Sequence, residues 1–257
     1  MCNTNKRGRI SSEIISNDAI ARDVFEMIVE CPEIVAQASP GQFVNLYCHH
    51  QGRLLPRPIS ICELDRDRGR IHLVYAILGH GTEEFSAYKQ GDVIDVMGPF
   101  GNGFDTSYEG DVVIVGGGVG TPPMVELAKT LKGDKTIVVG FRTEPYLVAR
   151  LEKYGRVHIA TDDGSVGFKG HVVALMEAQG IEGRIYACGP TPMLKGLKIY
   201  AAEKGLQASL SLEERMGCGF GGCVGCVTKI VAQTEAGFAY KKVCKDGPVF
   251  QAEEVIF

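Results

Sequence analysis

The segment Asp111-Val-Val-Ile-Val115-Gly-Gly-Gly-Val-Gly120-Thr-Pro-Pro123 decides how this chain is read. A continuous apolar strand runs into a glycine-rich turn, and the turn opens a helix. Prolines suit the first turn of that helix, where the missing N–H has no partner to lose. Met124, Leu127, Ala128 and Leu131 then fall on one apolar face. Glycines 116, 117, 118 and 120, with Thr121 beside them, let the backbone approach a pyrophosphate, and the helix start supplies N–H donors and partial positive charge. Taken alone, the turn also reads as an ordinary tight strand–helix junction. The strand before it and the prolines after it favour a nucleotide site.

Downstream, apolar runs at 136–141, 157–161 and 184–188 alternate with helical spacings at 122–131, 146–154, 171–179 and 192–204. That alternation predicts a βαβα parallel sheet, closed by a further apolar segment at 207–212. Upstream the texture differs. Short runs at 24–29, 43–48, 71–77 and 93–97 are separated by Pro-Gly, Arg-Gly and Gln-Gly-Asp turns, which predicts antiparallel strands in a small barrel or sandwich. Beyond 212 lies a glycine- and cysteine-rich tail too small for a substantial core of its own, which is expected to be organised by a metal. The expected architecture is therefore α+β and multidomain: an antiparallel β-barrel over 1–104, an α/β parallel-sheet domain over 105–212 and a metal-organised unit over 213–257.

With 257 residues, 45% hydrophobic and 23% charged, the chain has the composition of a folded globular protein of more than one unit. A net charge of −4 with dispersed Lys and Arg argues against a nucleic-acid groove. No apolar run reaches the ~20 residues that cross a bilayer, and residues 1–9 are polar and basic without the apolar core of a signal peptide. No membrane association and a cytoplasmic location are the expectation.

Nine cysteines with no secretory signal do not read as a disulfide framework, and four of them crowd into 218–244. Cys218, Cys223 and Cys226 follow C-x4-C-x2-C, with Cys244 after seventeen intervening residues. This is the plant-type ferredoxin spacing for a 2Fe-2S cluster. The intervening glycines allow a tight loop whose backbone N–H groups point at the sulfurs. Structural zinc is the rival, but it usually presents two short Cys-x2-4-Cys knuckles, and the second is missing here. Cysteines 2, 31, 48, 62 and 188 read as buried or inert thiols.

In the barrel region, Arg57-Pro-Ile-Ser60 precedes Gly79-His-Gly-Thr82 and Gly98-Pro-Phe-Gly-Asn-Gly-Phe104. An arginine beside rigid proline can grip a pyrophosphate bidentately, and a Gly-Thr pair can add backbone and hydroxyl donors. The same residues would also serve an ordinary hairpin with a surface arginine.

Together these motifs resemble the ferredoxin–NAD(P) reductase superfamily along the whole chain. The carboxy-terminal cysteines, with Val243-Cys-Lys-Asp-Gly-Pro-Val-Phe250 around the fourth, resemble the electron-transfer subunits of type-B dihydroorotate dehydrogenases. The resemblance implies FAD on Arg57, Pro58, Ile59 and Ser60, with further contacts from Val74, Tyr75, Ala76, Gly81 and Thr82. It implies NAD as substrate across Gly116–Thr121, with Cys188, Gly189 and Pro190 beside the nicotinamide. A buried cysteine before a turn is the plainer reading of Cys188. Ile59 departs from the family, since many reductases place an aromatic there against the flavin ring.

The implied partner is a separate FMN-containing dihydroorotate dehydrogenase subunit, two of each forming a heterotetramer. Electrons would pass from dihydroorotate through FMN, the cluster and FAD to NAD, serving pyrimidine biosynthesis, and no side chain is assigned as catalytic acid or base. A sister subunit in a ferredoxin- or polysulfide-reducing flavin complex and a zinc-stabilised nucleotide-binding regulator are the alternatives. In the reductases this chain resembles, the segment after the third strand holds the adenosine ribose, so Asp162 and Asp163 there imply NAD over NADP, because carboxylates repel a 2′-phosphate and one can accept from a 2′-hydroxyl. Arg142 is the opposing charge, and the aspartates could instead simply cap a turn.

Overall fold

The computed structural model describes residues 8–257. Strands β1 (Ile10–Ala21), β2 (Val24–Glu30), β3 (Phe43–Tyr47), β4 (Arg57–Asp65), β5 (Arg70–Ala76) and β6 (Val93–Phe100) close into a barrel in the order β1-β2-β5-β4-β3-β6. One-turn helix α1 (Pro32–Val35) and helix α2 (His80–Ala87) lie in its connections. Ile14, Met27, Leu46, Ile61, Leu73 and Val96 fill the interior. Four of these strands are expected from the sequence; β1 and β4 are not. The pairing of β1 with β2 slips between Ile14 and Ser16 and again between Ala19 and Ala21, so its apolar positions lose their period of two. β4 opens on Arg57-Pro58, and a proline that cannot donate to a ladder reads as a loop.

The second layer contains β7 (Val112–Gly117), α3 (Pro123–Thr130), β8 (Lys135–Phe141), α4 (Val148–Leu151), β9 (Arg156–Thr161), β10 (Phe168–Lys169), α5 (Val172–Gln179), β11 (Arg184–Cys188), α6 (Thr191–Lys204) and β12 (Ala208–Ser211). All of its strands run parallel. Met124, Leu127, Ala128 and Leu131 are buried, as the one-faced pattern requires. The helix expected over 146–154 shrinks to the single turn α4, since Leu147 before it takes a left-handed conformation at φ +63.

The last segment adds β13 (Val227–Val231), β14 (Phe238–Lys242), one-turn α7 (Val243–Asp246), β15 (Val249–Gln251) and β16 (Val255–Ile256). Strands β14, β13 and β16 form a small sheet, whereas β15 pairs antiparallel with β12. The large sheet therefore runs β10-β9-β8-β7-β11-β12-β15. Ile230, Val243 and Val255 share a core with Leu197 and Leu210, so the cysteine-rich segment is packed on the sheet rather than held by the cysteines alone. Among the described residues no helix is long and apolar enough to cross a membrane.

Barrel and sheet are joined by charge as well as by packing. Arg150 on α4 donates to both carboxylate oxygens of Glu26 on β2, at 2.6 and 2.8 Å, and His72 Nδ1 lies 2.8 Å from the same group. Burial alone would raise Glu26, but His72 and Arg150 outweigh it and bring the carboxyl down to about 2. A second tie uses Glu126 on α3, which accepts the Leu64 N–H at 2.9 Å. Its burial pushes the carboxyl above the ordinary range.

Candidate functional site

In the large sheet β8 and β9 lie to one side of β7, and β11 and β12 to the other. The crevice beyond the carboxyl ends of β7 and β11 is thus a topological switch point, where open α/β sheets take ligands. Two of the sequence motifs meet there. Gly120 packs so closely on the segment after β11 that a Cβ would lie 2.3 Å from the Cys188 carbonyl oxygen. Only glycine lets the turn and Cys188-Gly-Pro190 share one wall.

On the barrel side, Arg57, Pro58, Ile59, Ser60, Val74, Tyr75, Ala76, Gly81 and Thr82 all line one cavity of ≈ 330 Å³. The Arg57 guanidinium lies across the start of α2: a Cβ on Gly81 would sit 2.0 Å from Arg57 Nε. The Arg57 Nη1 donates to the Leu55 carbonyl, which holds the fork in place. A helix start leaves its first N–H groups without intrahelical partners. A planar cation and free amides thus converge in a cradle that fits a pyrophosphate. Thr82 behaves differently from the expectation of a hydroxyl donor to ligand. Its Oγ1 accepts the Leu78 N–H at 2.9 Å and donates to the Gly79 carbonyl at 3.1 Å, so the hydroxyl shapes the loop. Tyr75 is buried, stacks on Phe25 and donates to Asn17 Oδ1 at 2.9 Å. Ile59 packs on the barrel core while lining the cavity, a small aliphatic wall where an aromatic would cover more of a flavin.

A second cavity of ≈ 640 Å³ opens across Gly117, Gly118, Asp162 and Pro190. Arg142, Thr143 and Glu144 line it as well. Asp162 is exposed on its wall, whereas the Asp163 carboxylate accepts the Ser165 N–H at 3.0 Å and caps a turn. The two aspartates therefore separate into one facing the crevice and one holding the loop. A third cavity of ≈ 110 Å³ is lined by Pro58, Ser60, Gly120, Cys188, Gly189 and Met216, among others. Gly116 and Thr121 line none of the three. Gly116 is inside β7, and Thr121 is fully buried behind the turn with its hydroxyl unpaired. Desolvation of the Cys188 thiol, set against a hydrogen bond with Ser211, pushes it up to about 12, so it is a neutral thiol beside the cleft.

Val119 and Glu213 line all three cavities and join them into one cleft. Sequence reasoning passed over both. Val119 lies inside the glycine turn, where an apolar side chain carries no ligand signature of its own. Glu213 follows the end of β12, and the carboxyl end of a parallel strand was the signal that could have found it.

The four cysteines of the tail come together in pairs. The Cys223 N–H points at Cys218 Sγ at 3.3 Å, and the Cys244 thiol lies against Cys226. Burial would raise Cys218, yet amides of Phe220, Cys223 and Gly222 reverse the effect and bring it down to about 7. Burial and the neighbouring Cys226 sulfur push Cys244 up to about 12. Among the described residues no three His, Cys, Asp or Glu side chains gather about one point to hold a single ion. Two thiol pairs with amides aimed at sulfur fit two irons, each taking two thiolates, and the spacing lacks the second short knuckle usual for structural zinc. Cys31 and Cys62 are buried thiols raised by desolvation, Cys48 is half-buried and also raised, and Cys2 lies outside the described residues.

Comparison with known proteins agrees with this geometry. Residues 213–256 match the family model described as the iron-sulfur cluster binding domain of dihydroorotate dehydrogenase B, and residues 10–104 match the oxidoreductase FAD-binding domain. The "Dihydroorotate dehydrogenase B (NAD(+)), electron transfer subunit" of Caldanaerobacter subterraneus subsp. tengcongensis is 41% identical over 254 residues, covering 98% of this chain and 100% of the relative. The protein of the same name from Listeria monocytogenes is 42% identical over 252 residues, covering 95% of this chain and 97% of the relative. A chain of the NADH-dependent reduced ferredoxin-NADP oxidoreductase, solved for insight into flavin-based electron bifurcation, superposes with a TM-score of 0.86 at 34% identity, covering 97% of this chain and 91% of that one. A ferredoxin NADP+ reductase from Neisseria gonorrhoeae with bound FAD and NADP shares the fold at a TM-score of 0.63 and 15% identity, over 77% of this chain and 92% of that one. On this evidence of sequence along nearly its whole length, the chain belongs to the family of dihydroorotate dehydrogenase B electron transfer subunits.

Proposed function

We propose that this chain accepts electrons released by dihydroorotate oxidation in a separate FMN-containing subunit and delivers them to NAD, serving pyrimidine biosynthesis in the cytoplasm. The observation that carries the reading is the continuous cleft: Val119 and Glu213 join the barrel cavity, the nucleotide crevice and the small cavity that reaches Met216 near the first cysteine. FAD is held by Arg57–Ser60, Val74–Ala76, Gly81 and Thr82, with its pyrophosphate on Arg57 and the start of α2. When bound, FAD supplies the exchange between the two-electron chemistry of nicotinamide and the one-electron chemistry of a 2Fe-2S cluster. Cys218, Cys223, Cys226 and Cys244 hold the cluster.

NAD lies across Gly117, Gly118 and Gly120, with Asp162 toward its adenosine ribose and Cys188, Gly189 and Pro190 toward its nicotinamide. Gly116 and Thr121 support that turn from behind. The protein's work is to place the rings and exclude water between them, and no side chain serves as covalent catalyst or as acid or base. The working division is a barrel over 1–104, a nucleotide domain over 105–212 and a cluster segment over 213–257. The assembly is a heterotetramer with two copies of each subunit.

A second reading follows from the likeness to the NADH-dependent reduced ferredoxin-NADP oxidoreductase chain: service in a different flavin-based complex. Anaerobic co-purification of the tagged chain separates the two. A partner with tightly bound FMN that oxidises dihydroorotate supports the proposal, and a partner that oxidises reduced ferredoxin instead supports the second reading.

A further inference from the structure

Asn45 is a polar residue in the middle of the barrel strand β3, with 0% exposure. Burying a carboxamide is costly unless its groups are paired. Its Nδ2 does find a partner, but a distant one in sequence: the carbonyl of Cys218, the first cysteine of the tail, at 3.0 Å. The loop is shaped around this side chain. Gly219 takes φ +70, and a Cβ there would lie 2.4 Å from Asn45 Oδ1 and 2.6 Å from Nδ2. The next residue, Phe220, sets its ring against Phe100 of β6 at 6.4 Å. Farther along the same face, the Asn102 backbone N–H donates to the Gly247 carbonyl at 2.6 Å and Asn102 Nδ2 to the Asp246 carbonyl at 3.0 Å. The cysteine loop is therefore docked on β3 and β6 of the barrel.

Across the barrel ladder Asn45 stands opposite Pro58, and Pro58 lines both the barrel cavity and the small cavity that reaches Met216. One side chain thus spans from the strand beside the flavin cradle to the peptide of the first cysteine. Holding the Cys218 carbonyl fixes the orientation of the peptide that follows it. The amides of the loop aim at sulfur only while those peptides keep their orientation, and amides aimed at sulfur stabilise the more negative, reduced cluster.

We propose that Asn45 is a positioning residue for electron transfer: by gripping the Cys218 peptide from the barrel it sets the cluster's distance from the flavin and its reduction potential. The inference rests on the cluster and flavin assignment of the preceding section. It is a role through other groups, so activity alone would not test it.

The experiment uses the full chain, purified anaerobically with FAD and cluster, in wild-type, Asn45→Leu and Asn45→Asp forms. Leucine keeps the γ-branched shape and removes the donor. Asn45→Leu should retain FAD and reduce a flavin-level artificial acceptor with NADH within about twofold of wild type. Reduction of its cluster by NADH, followed by stopped-flow bleaching, should slow roughly tenfold. Its cluster midpoint should fall by about 59 mV, which is a tenfold change in the one-electron ratio. Asn45→Asp, which puts an acceptor and a negative charge where the donor was, should lower the midpoint and slow cluster reduction at least as much as Asn45→Leu. A wild-type rate and midpoint in Asn45→Leu would overturn the inference. So would joint loss of FAD and cluster in both variants, which would make Asn45 a barrel-core residue only. A wild-type chain without iron, or with a cluster that NADH never reduces, would instead overturn the assignment on which the inference rests.

Discussion

Replacing Gly81 by alanine should weaken flavin binding through Arg57. The new Cβ would stand 2.0 Å from Arg57 Nε, 2.5 Å from Cζ and 2.7 Å from Nη2, so the guanidinium must leave its place over the start of α2. A hydrogen bond from a charged donor contributes about 1.5–3 kcal/mol, and its full loss in Arg57→Ala predicts roughly 10- to 150-fold weaker FAD binding. Arginine has a flexible stem, so Gly81→Ala should lose only part of that, about 1–2 kcal/mol, or roughly 5- to 30-fold. The decisive quantity is the coupling between the two changes. Once Arg57 is alanine, the methyl at 81 has no guanidinium to displace and should cost little, so the double variant should bind FAD about as well as Arg57→Ala alone. Apoprotein of all four forms would be titrated with FAD by quenching of flavin fluorescence. Additive losses, or unchanged affinity in Arg57→Ala, would refute the assignment of this cradle to the pyrophosphate.

Protein purified anaerobically should contain about two irons per chain and show visible bands that bleach with dithionite, and stoichiometric zinc without iron would contradict the cluster. Since Asp162 alone of the aspartate pair faces the crevice, Asp162→Ser should raise the kcat/KM ratio for NADP over NAD about tenfold, while Asp163→Ser should leave it within about twofold. A wild-type preference for NADP, or a larger effect at 163, would count against that division. Arg150→Ala should cost about 3 kcal/mol of stability by leaving the buried Glu26 carboxylate with only His72. Glu26 sits at about 2 in the folded chain against a usual 4.5, so its stabilisation is present above about pH 4.5 and is lost as the pH falls toward 2. Urea midpoints across that range should fall less steeply in Arg150→Ala than in wild type, and parallel curves would show that the pair does not act this way.

The legible parts of this fold were those with a strong local signal. The glycine turn after a continuous apolar strand placed β7 and α3, and the spacing of Cys218, Cys223, Cys226 and Cys244 marked a four-thiolate 2Fe-2S site, whose division into two thiol pairs only the structure shows. Strands β1 and β4 were hidden for opposite reasons, one by slipped register and one by a proline serving the cavity wall. Strand β15 was hidden because three residues after Pro248 carry no periodicity, although they seal the edge of the large sheet. At the site, all nine barrel residues fell on one wall because a motif and its cavity are local. The pairing of Asn45 with Cys218, and of Glu26 with Arg150, joins positions far apart in sequence, and no local pattern records it.

The central claim is that electrons cross this chain from a dihydroorotate-oxidising partner to NAD by way of the four cysteines. It is tested most directly by measuring dihydroorotate-dependent NADH formation in the anaerobically reconstituted complex, with wild-type chain and with Cys223→Ser. The account predicts NADH formation with the wild-type chain and its loss in Cys223→Ser, whose FAD-bound form still oxidises NADH with an artificial acceptor. An undiminished dihydroorotate-to-NAD rate in Cys223→Ser, or none with the wild-type chain, would contradict it.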